Sequence, residues 1–433
     1  MSLDNAAQRD RAVVIISWTE LADKPSQDRI SETEGLVEAL GCEAIISRVE
    51  NVRNPTPKFL LSGGLLERLK DDVEAHAPNL VIIDHALTPV QQRNLEVHLK
   101  IKVIDRTGLI LEIFGLRALT REGILQVELA RLMYERSRLV RTWTHLERQR
   151  GGKGFLGGPG ETQLEADRRM LDRQLDRLRR DLADVRRTRG VQRAGRRKSG
   201  KPIIALVGYT NAGKSTLFNR LCDADVLAKD MPFATLDPTI RQMTLPKLGD
   251  AALIDTVGFI TDLPTHLIDS FRATLEEVLE ADLILHVRDR ASDADAAQKR
   301  DVEQVLERLS ETMEVDLPPI VEVWNKADAL SEDKHEALSL NIQTLEPPSA
   351  VLVSALTGDG LNALEDQIES ALLSGRVTVD VALAPKDGEA RAWLHENAVI
   401  EAESFSDTGE TLISASMSLK DYGRWEARFA KKV

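Results

Sequence analysis

Gly208 to Ser215 reads GYTNAGKS and fits the pattern G-x-x-x-x-G-K-[ST]. The apolar run Ile203 to Val207 precedes it and an amphipathic segment follows, so a strand feeds a helix through a glycine-bounded turn. The backbone N–H groups of such a turn, here Gly208, Tyr209, Thr210, Asn211, Ala212 and Gly213, can cradle α- and β-phosphates beside a helix N-terminus. Gly208 and Gly213 keep Cβ atoms away from the phosphates. Lys214 can reach the β- and γ-phosphates, and the Ser215 hydroxyl can ligate magnesium.

Four downstream stretches complete a nucleotide site. WNKAD, Trp324 to Asp328, follows the apolar run 320–323 and so sits at a strand end. Asp328 can accept from the ring N–H and the exocyclic amine of guanine, two donors that adenine lacks on that edge. Asn325 would brace the loop, the Lys326 stem would lie over the base, and Ala327 completes the tetrapeptide. Ser354, Ala355 and Leu356 end the later run 350–353, and their amides can meet the guanine carbonyl. Asp255, Thr256, Val257 and Gly258 (DTVG) place a carboxylate for magnesium, through water, and the Gly258 N–H for the γ-phosphate. FATLDPT contributes Phe233, Ala234, Thr235, Leu236 and Asp237, with Thr235 or Thr239 as the second magnesium hydroxyl. Spacing alone leaves those two threonines open. The set predicts GTP and GDP binding with magnesium, and hydrolysis of GTP to GDP and phosphate. Lys214, Thr235 and Gly258 are the candidates for phosphate and switch contacts.

Many GTPases carry Gln after the DTVG glycine to orient the attacking water. Here the residue is Phe259, which predicts slow intrinsic hydrolysis assisted by a backbone group, an ion or a partner surface. Asn211 is either a ligand for a monovalent cation such as potassium or a plain turn asparagine.

The elements around these loops alternate. Residues 12–18, 44–49, 80–84 and 102–105 are apolar runs separated by amphipathic segments, which predicts an α/β layer with a parallel sheet. Leu125, Leu129, Leu132, Leu139, Trp143 and Leu146 then follow a 4-3 spacing, with Arg136 in the missing position. A second stripe runs through Leu171, Leu175, Leu178, Leu182 and Val185. Between the stripes lies GGKGFLGGPGETQLE, with six glycines in residues 151–160. Two striped helices flanking such a loop predict an antiparallel hairpin with the loop as its tip; separate packing of the two stripes is the alternative.

The expected organisation is an N-terminal α/β domain (1–118), a helical hairpin (119–190), a basic linker (191–201), a nucleotide domain (202–375) and a small C-terminal α/β domain (376–433). In the last, 377–385 and 409–419 read as strands, 387–400 as a helix, and a helix is expected from Lys420. The net charge is −13, but residues 131–200 hold 20 basic and 9 acidic side chains. A basic segment in an acidic protein addresses a polyanion, or else forms a solvated face of paired charges. Two distant cysteines, Cys42 and Cys222, predict reduced thiols in a cytoplasmic protein. No secretory leader or membrane-spanning run is read, and a monomer is expected.

Several stretches together resemble the HflX family of ribosome-associated GTPases: QQRNLE (91–96), VIDRTGLILEIFGLRA (103–118), LQVELARLMY (125–134), GGKGFLGGPGETQLEADRR (151–169) and DTVGFITDLPTHLIDSFRATLEEV (255–278). The resemblance implies a Ras-like P-loop GTPase domain between the N-terminal domain with its hairpin and the C-terminal domain. It implies association with the large (50S) ribosomal subunit and its rRNA, splitting or rescuing stalled ribosomes under stress, with the glycine-rich tip reaching toward the peptidyl-transferase region. Thr235, not Thr239, is the magnesium ligand it implies. One departure stands out: where a Gly-Lys-rich turn is expected, LLSGGLLERLK carries no lysine in the turn. The competing reading is a nucleotide-regulated binding module for another RNA or a peripheral membrane partner, with incidental hydrolysis.

Overall fold

The computed structural model describes residues 9–18, 24–149, 159–198, 201–222, 232–233, 235–261, 276–344, 350–374, 376–406 and 409–429. Ala234, the tip 150–158 and the side chains of Leu139, Trp143 and Leu146 lie outside the described residues.

The first domain runs β1 (Asp10–Trp18), α1 (Gln27–Ala39), β2 (Cys42–Asn51), α2 (Gly63–His76), β3 (Leu80–Ile83), α3 (Pro89–Leu99), β4 (Lys102–Asp105) and α4 (Arg106–Arg117). All strands are parallel in the order β2-β1-β3-β4. The period of two in β1 sends Val13 and Ile15 to a core with Leu65, Leu69, Leu95 and Leu99, and Val14 and Ile16 to a core with Leu36, Val37 and Phe114. Both faces are covered, which is why the strands read as unbroken apolar runs. Helix starts are fixed by local oxygen acceptors: Thr88 and Gln91 form a capping box on α3, and Asp105 accepts from the Gly108 amide at 2.7 Å to start α4.

Two long helices follow, α5 (Arg121–Gln149) and α6 (Pro159–Lys198). They pair as an arm whose seam buries Leu129, Leu175, Leu178 and Leu182, flanked by Leu125, Leu132 and Met133. Arg136, the polar interruption in the first stripe, reaches Asp172 across the seam at 2.9 Å. The expected linker over 191–201 is corrected: α6 continues to Lys198. Gly195 there costs about 1 kcal/mol. Arg, Gln, Ala and Lys are good helix formers, and adding residues to a helix that already exists avoids the nucleation penalty.

The nucleotide domain contains β5 (Ile203–Gly208), α7 (Lys214–Leu221), β6 (Thr239–Leu245), β7 (Gly249–Asp255), β8 (Leu283–Asp289), α8 (Asp295–Met313), β9 (Ile320–Asn325), α9 (Glu332–Thr344), β10 (Ala350–Leu352) and α10 (Leu361–Ser374). Its sheet order is β10-β9-β8-β5-β7-β6, parallel except for the antiparallel edge strand β6. Last come β11 (Arg376–Leu383), α11 (Gly388–Asn397), β12 (Val399–Phe405), β13 (Thr411–Ser418) and α12 (Leu419–Phe429), with an antiparallel sheet ordered β11-β13-β12. The sequence reading ran the helix through to residue 400 and missed β12. That strand lies on the sheet edge and is mostly exposed, so it lacks the buried alternation that marks a strand.

One buried apolar cluster continues from the first domain into the nucleotide domain. Phe233 stands edge-on against Phe114 with ring centroids 4.6 Å apart, a contact worth about 0.5–1.5 kcal/mol beyond area burial.

Candidate nucleotide site

The predicted loops converge at the C-terminal ends of β5, β7, β9 and β10. Parallel strands aim their carboxyl ends and the following helix N-termini at one edge, where α/β sheets bind ligands. β5 turns into α7 through Gly208–Gly213. Gly208 has φ +151°, and a Cβ there would stand 2.2 Å from the Val287 carbonyl; Gly213 has φ +93°, and a Cβ there would meet the Asn325 amide at 2.1 Å. Neither position admits a side chain. Asn211 takes the left-handed region at φ 61° and is exposed.

Lys214 is buried, and its Nζ donates to the carbonyls of Gly208 (3.0 Å) and Tyr209 (2.7 Å), which folds the ammonium over the loop. Burial pushes its pKa down to about 8, against the opposing pull of Asp255. Ser215 Oγ donates to Asp255 Oδ2 at 2.8 Å, Thr235 Oγ1 donates to the same oxygen at 2.7 Å, and the two hydroxyls lie 3.0 Å apart. Burial raises the Asp255 carboxyl, while Lys214, Thr235 and Ser215 pull it back down. Among the described residues Asp255 Oδ1 is buried with no hydrogen-bond partner. Two hydroxyls and a carboxylate with an unanswered oxygen fit a hard divalent cation held partly through water, so the residues suit magnesium. Thr239 instead starts β6, paired in the ladder with Asp255.

Around the base site, Asn325 donates from Nδ2 to the Ala212 carbonyl at 2.8 Å and accepts from the Ala355 amide at 2.9 Å. It thus ties the phosphate loop to the Ser354–Leu356 loop. Ser354 Oγ donates to Asp328, which orients that carboxylate. Lys326, at φ 63°, pairs with Asp289 at 2.8 Å. Ala327 N donates to the Val353 carbonyl at 3.1 Å. Ala355 is buried and Leu356 exposed, and Arg220 holds both of their carbonyls.

The DTVG stretch lies against the phosphate loop. Phe259 N donates to the Gly208 carbonyl at 3.1 Å, and Thr210 N donates to the Phe259 carbonyl at 2.7 Å. Thr256 is buried on the Leu206 carbonyl, Val257 is buried, and Gly258 has no room for a Cβ, with Thr210 Cγ2 at 2.8 Å and Lys214 Nζ at 3.0 Å. The Phe259 ring is itself buried, so this position offers backbone only.

Not every candidate side chain turns to the nucleotide. Phe233 and Leu236 are buried, Phe233 on Phe114. Tyr209 OH donates to Glu32 of α1 at 2.7 Å, and Thr261 donates to the same oxygen at 3.1 Å. The Asp237 carboxylate accepts from the amides of Leu119 and Thr120, both at 2.9 Å. Sequence reading missed Glu32, Arg106, Thr120 and Thr261. Thr120 before a helix is a legible cap; the others act across long sequence separations that leave no local pattern.

A phosphate loop, a hydroxyl–carboxylate cluster and an N-K-x-D loop at the ends of one mostly parallel sheet define a P-loop GTPase domain. Comparison with known proteins narrows the class. Residues 203–326 match the family described as 50S ribosome-binding GTPase, 27–115 the GTP-binding GTPase N-terminal family, 117–196 the GTP-binding GTPase middle region, and 339–432 the HflX C-terminal domain. The GTPase HflX of Magnetococcus marinus is 44% identical over 92% of this chain and 90% of its own length, and that of Escherichia coli K12 is 42% identical over 96% and 95%. The GTPase HflX of Lacrimispora saccharolytica is 37% identical over 92% of each chain. The chain belongs to the HflX family of GTPases.

Proposed function

We propose that this GTPase couples its nucleotide cycle to the large (50S) ribosomal subunit, splitting or rescuing stalled ribosomes under stress, as a cytoplasmic monomer. The observation that carries the reading is the arm: a paired α5–α6 hairpin in the basic segment 131–200, set on a chain that is acidic elsewhere. Such an arm can follow rRNA phosphates without sequence preference, and the glycine-rich stretch between its helices suits crowded RNA. Among the described residues no helix is long and apolar enough to cross a membrane.

In the chemical step, water attacks the γ-phosphoryl group and GDP leaves. The loop amides and Lys214 hold the β- and γ-phosphates and offset the charge that develops on them. Ser215, Thr235 and Asp255 would hold magnesium, which when bound there would neutralise charge on the phosphate oxygens. The Gly258 amide meets the γ-phosphate. Asp328 and the 354–356 amides select guanine, with Lys326 over the ring. Asn211 is the residue we assign to a potassium ion beside the phosphates. Potassium replaced by sodium then slows hydrolysis in the wild type and leaves Asn211→Ala unmoved.

The Phe259 side chain cannot orient water, so the missing help comes from a backbone group, an ion or a partner surface, and this reading assigns a share of it to the 50S subunit. GTP hydrolysis is measured with and without purified 50S subunits, in the wild type and in a variant with 151–160 replaced by a short Gly-Ser turn. Strong stimulation lost in the variant is expected. Absent stimulation, or stimulation indifferent to the tip, sinks this reading. Phe259 would then favour the alternative, a nucleotide-regulated module for another RNA or a membrane partner with incidental hydrolysis.

A further inference from the structure

Asp237 lies two residues beyond Thr235, yet its carboxylate serves the arm. Oδ2 accepts from the Leu119 and Thr120 amides at 2.9 Å each, and the Thr120 hydroxyl donates to Oδ1. Thr120 in turn caps α5, accepting from the Gly123 amide at 3.0 Å. Gly123 in the first turn has no side chain, and a Cβ there would stand 2.2 Å from Asp237 Oδ1. On the other side of the α4–α5 junction, Phe233 of the same loop packs edge-on against Phe114 near the end of α4. The loop that carries Thr235 therefore grips the root of the arm from both sides.

We propose that Asp237 is the joint through which the nucleotide state reaches the arm. Thr235 sits closed on Ser215 and Asp255 in the same structure in which Asp237 holds Thr120, the cap of α5. Two peptide units separate them, a span of at most about 7 Å. A 2.9 Å hydrogen bond is lost within roughly another 0.6 Å of separation. Movement of Thr235 by more than an ångström therefore draws the carboxylate off the Leu119 and Thr120 amides. GTP gives Thr235 a reason to stay closed, through magnesium and the γ-phosphate; GDP does not. The GTP state latches the root of the arm and the GDP state releases it. By reciprocity, the latch favours GTP over GDP.

The proposal rests on the nucleotide roles assigned above and not on the ribosome, and its test contains no ribosomal subunit, so either can fail alone. Hydrogen exchange of the amides 119–124 is followed in the full chain with magnesium and either GDP or a non-hydrolysable GTP analogue, and both affinities are measured. In the wild type these amides exchange more slowly with the analogue. In Asp237→Ala the difference disappears and the analogue binds about fivefold more weakly, the equilibrium weight of about one net hydrogen bond, while GDP affinity stays put. Gly123→Ala keeps the carboxylate but displaces it, and loses the exchange difference too. Asp237→Asn, with one accepting oxygen left, falls between. Equal exchange with both nucleotides in the wild type overturns the proposal. So does an equal loss of GTP-analogue and GDP affinity in Asp237→Ala, which would make Asp237 a plain scaffold of the loop.

Discussion

Lys214 carries a consequence of its burial that can be read with a pH meter. Its ammonium titrates at about 8 in the folded chain against an ordinary 10.5. Between those values the unfolded chain binds more protons than the folded one, so this group's contribution to nucleotide-free stability rises with pH. Nucleotide binding has the opposite sign. Phosphates favour the ammonium, binding takes up a proton above pH 8, and GTP affinity falls toward about tenfold per pH unit. Affinities measured from pH 7 to about 9 should show that slope, and Lys214→Arg, which does not titrate, should flatten it; an unchanged slope in the arginine variant assigns the proton elsewhere. At the base, Asp328→Asn exchanges one acceptor for a donor. GTP affinity should drop by about a hundredfold, two hydrogen bonds to a charged group at about 1.5 kcal/mol each. Xanthosine triphosphate, whose ring offers a donor beside a carbonyl, should gain. Competition binding decides it, and parallel losses for both nucleotides would place Asp328 off the base. These residues were legible because their spacing is local: each motif is short and ends a strand. Glu32 was not legible. It meets Tyr209 and Thr261 only after the fold brings α1 against the phosphate loop.

At the scale of elements, the arm is held by one seam. Leu175 is almost fully buried in it, with Leu129, Leu178 and Leu182. Leu175→Ala should cost about 2–4 kcal/mol of local stability. Exchange of the amides 171–182 should quicken accordingly, while GTP affinity in the absence of ribosomes stays unchanged. Exchange confined to wild-type rates would mean the two helices do not depend on this contact. The leucine stripes made the hairpin legible because seven-residue spacing survives in sequence whatever the partner. The end of α6 was not legible, since glycine and arginine read as a linker when the helix N-terminal to them is left out of account. β6 shows the other failure. Five of its seven residues are exposed or half-buried, and it earns its place by pairing antiparallel with β7, not by a pattern of its own.

The whole molecule divides by its cores, not by its sequence segments. The apolar cluster of the nucleotide domain is continuous with one face of the first domain, whereas the C-terminal domain closes a separate core around Leu394, Trp425 and Phe429. Polar contacts reinforce the first union. Arg106 of α4 is buried between Asp84 and Glu32 and donates to the Thr261 carbonyl at 3.1 Å. Burial alone would raise the Asp84 carboxyl, but Arg106 and Arg29 outweigh it and hold it below the usual carboxylate range. A lowered carboxylate contributes stability above its unfolded pKa and loses it as pH falls through the folded one, so the Asp84–Arg106 pair inside the first domain, which holds Arg106 toward Thr261, loses strength in acid. Calorimetry at neutral pH should therefore show the first and nucleotide domains melting together and the C-terminal domain melting on its own. GTP analogue with magnesium at a hundred times its dissociation constant adds about 2.7 kcal/mol to the unit that binds it. The joint transition should move up and the C-terminal transition should stay. Glu32→Gln leaves the Arg106 guanidinium with one carboxylate in place of two and removes an acceptor of Tyr209 and Thr261. It should lower the joint transition alone, by about 1–3 kcal/mol. A first domain that melts separately from the nucleotide domain, or a C-terminal transition that follows the nucleotide, would show that the continuous core does not act as one cooperative body.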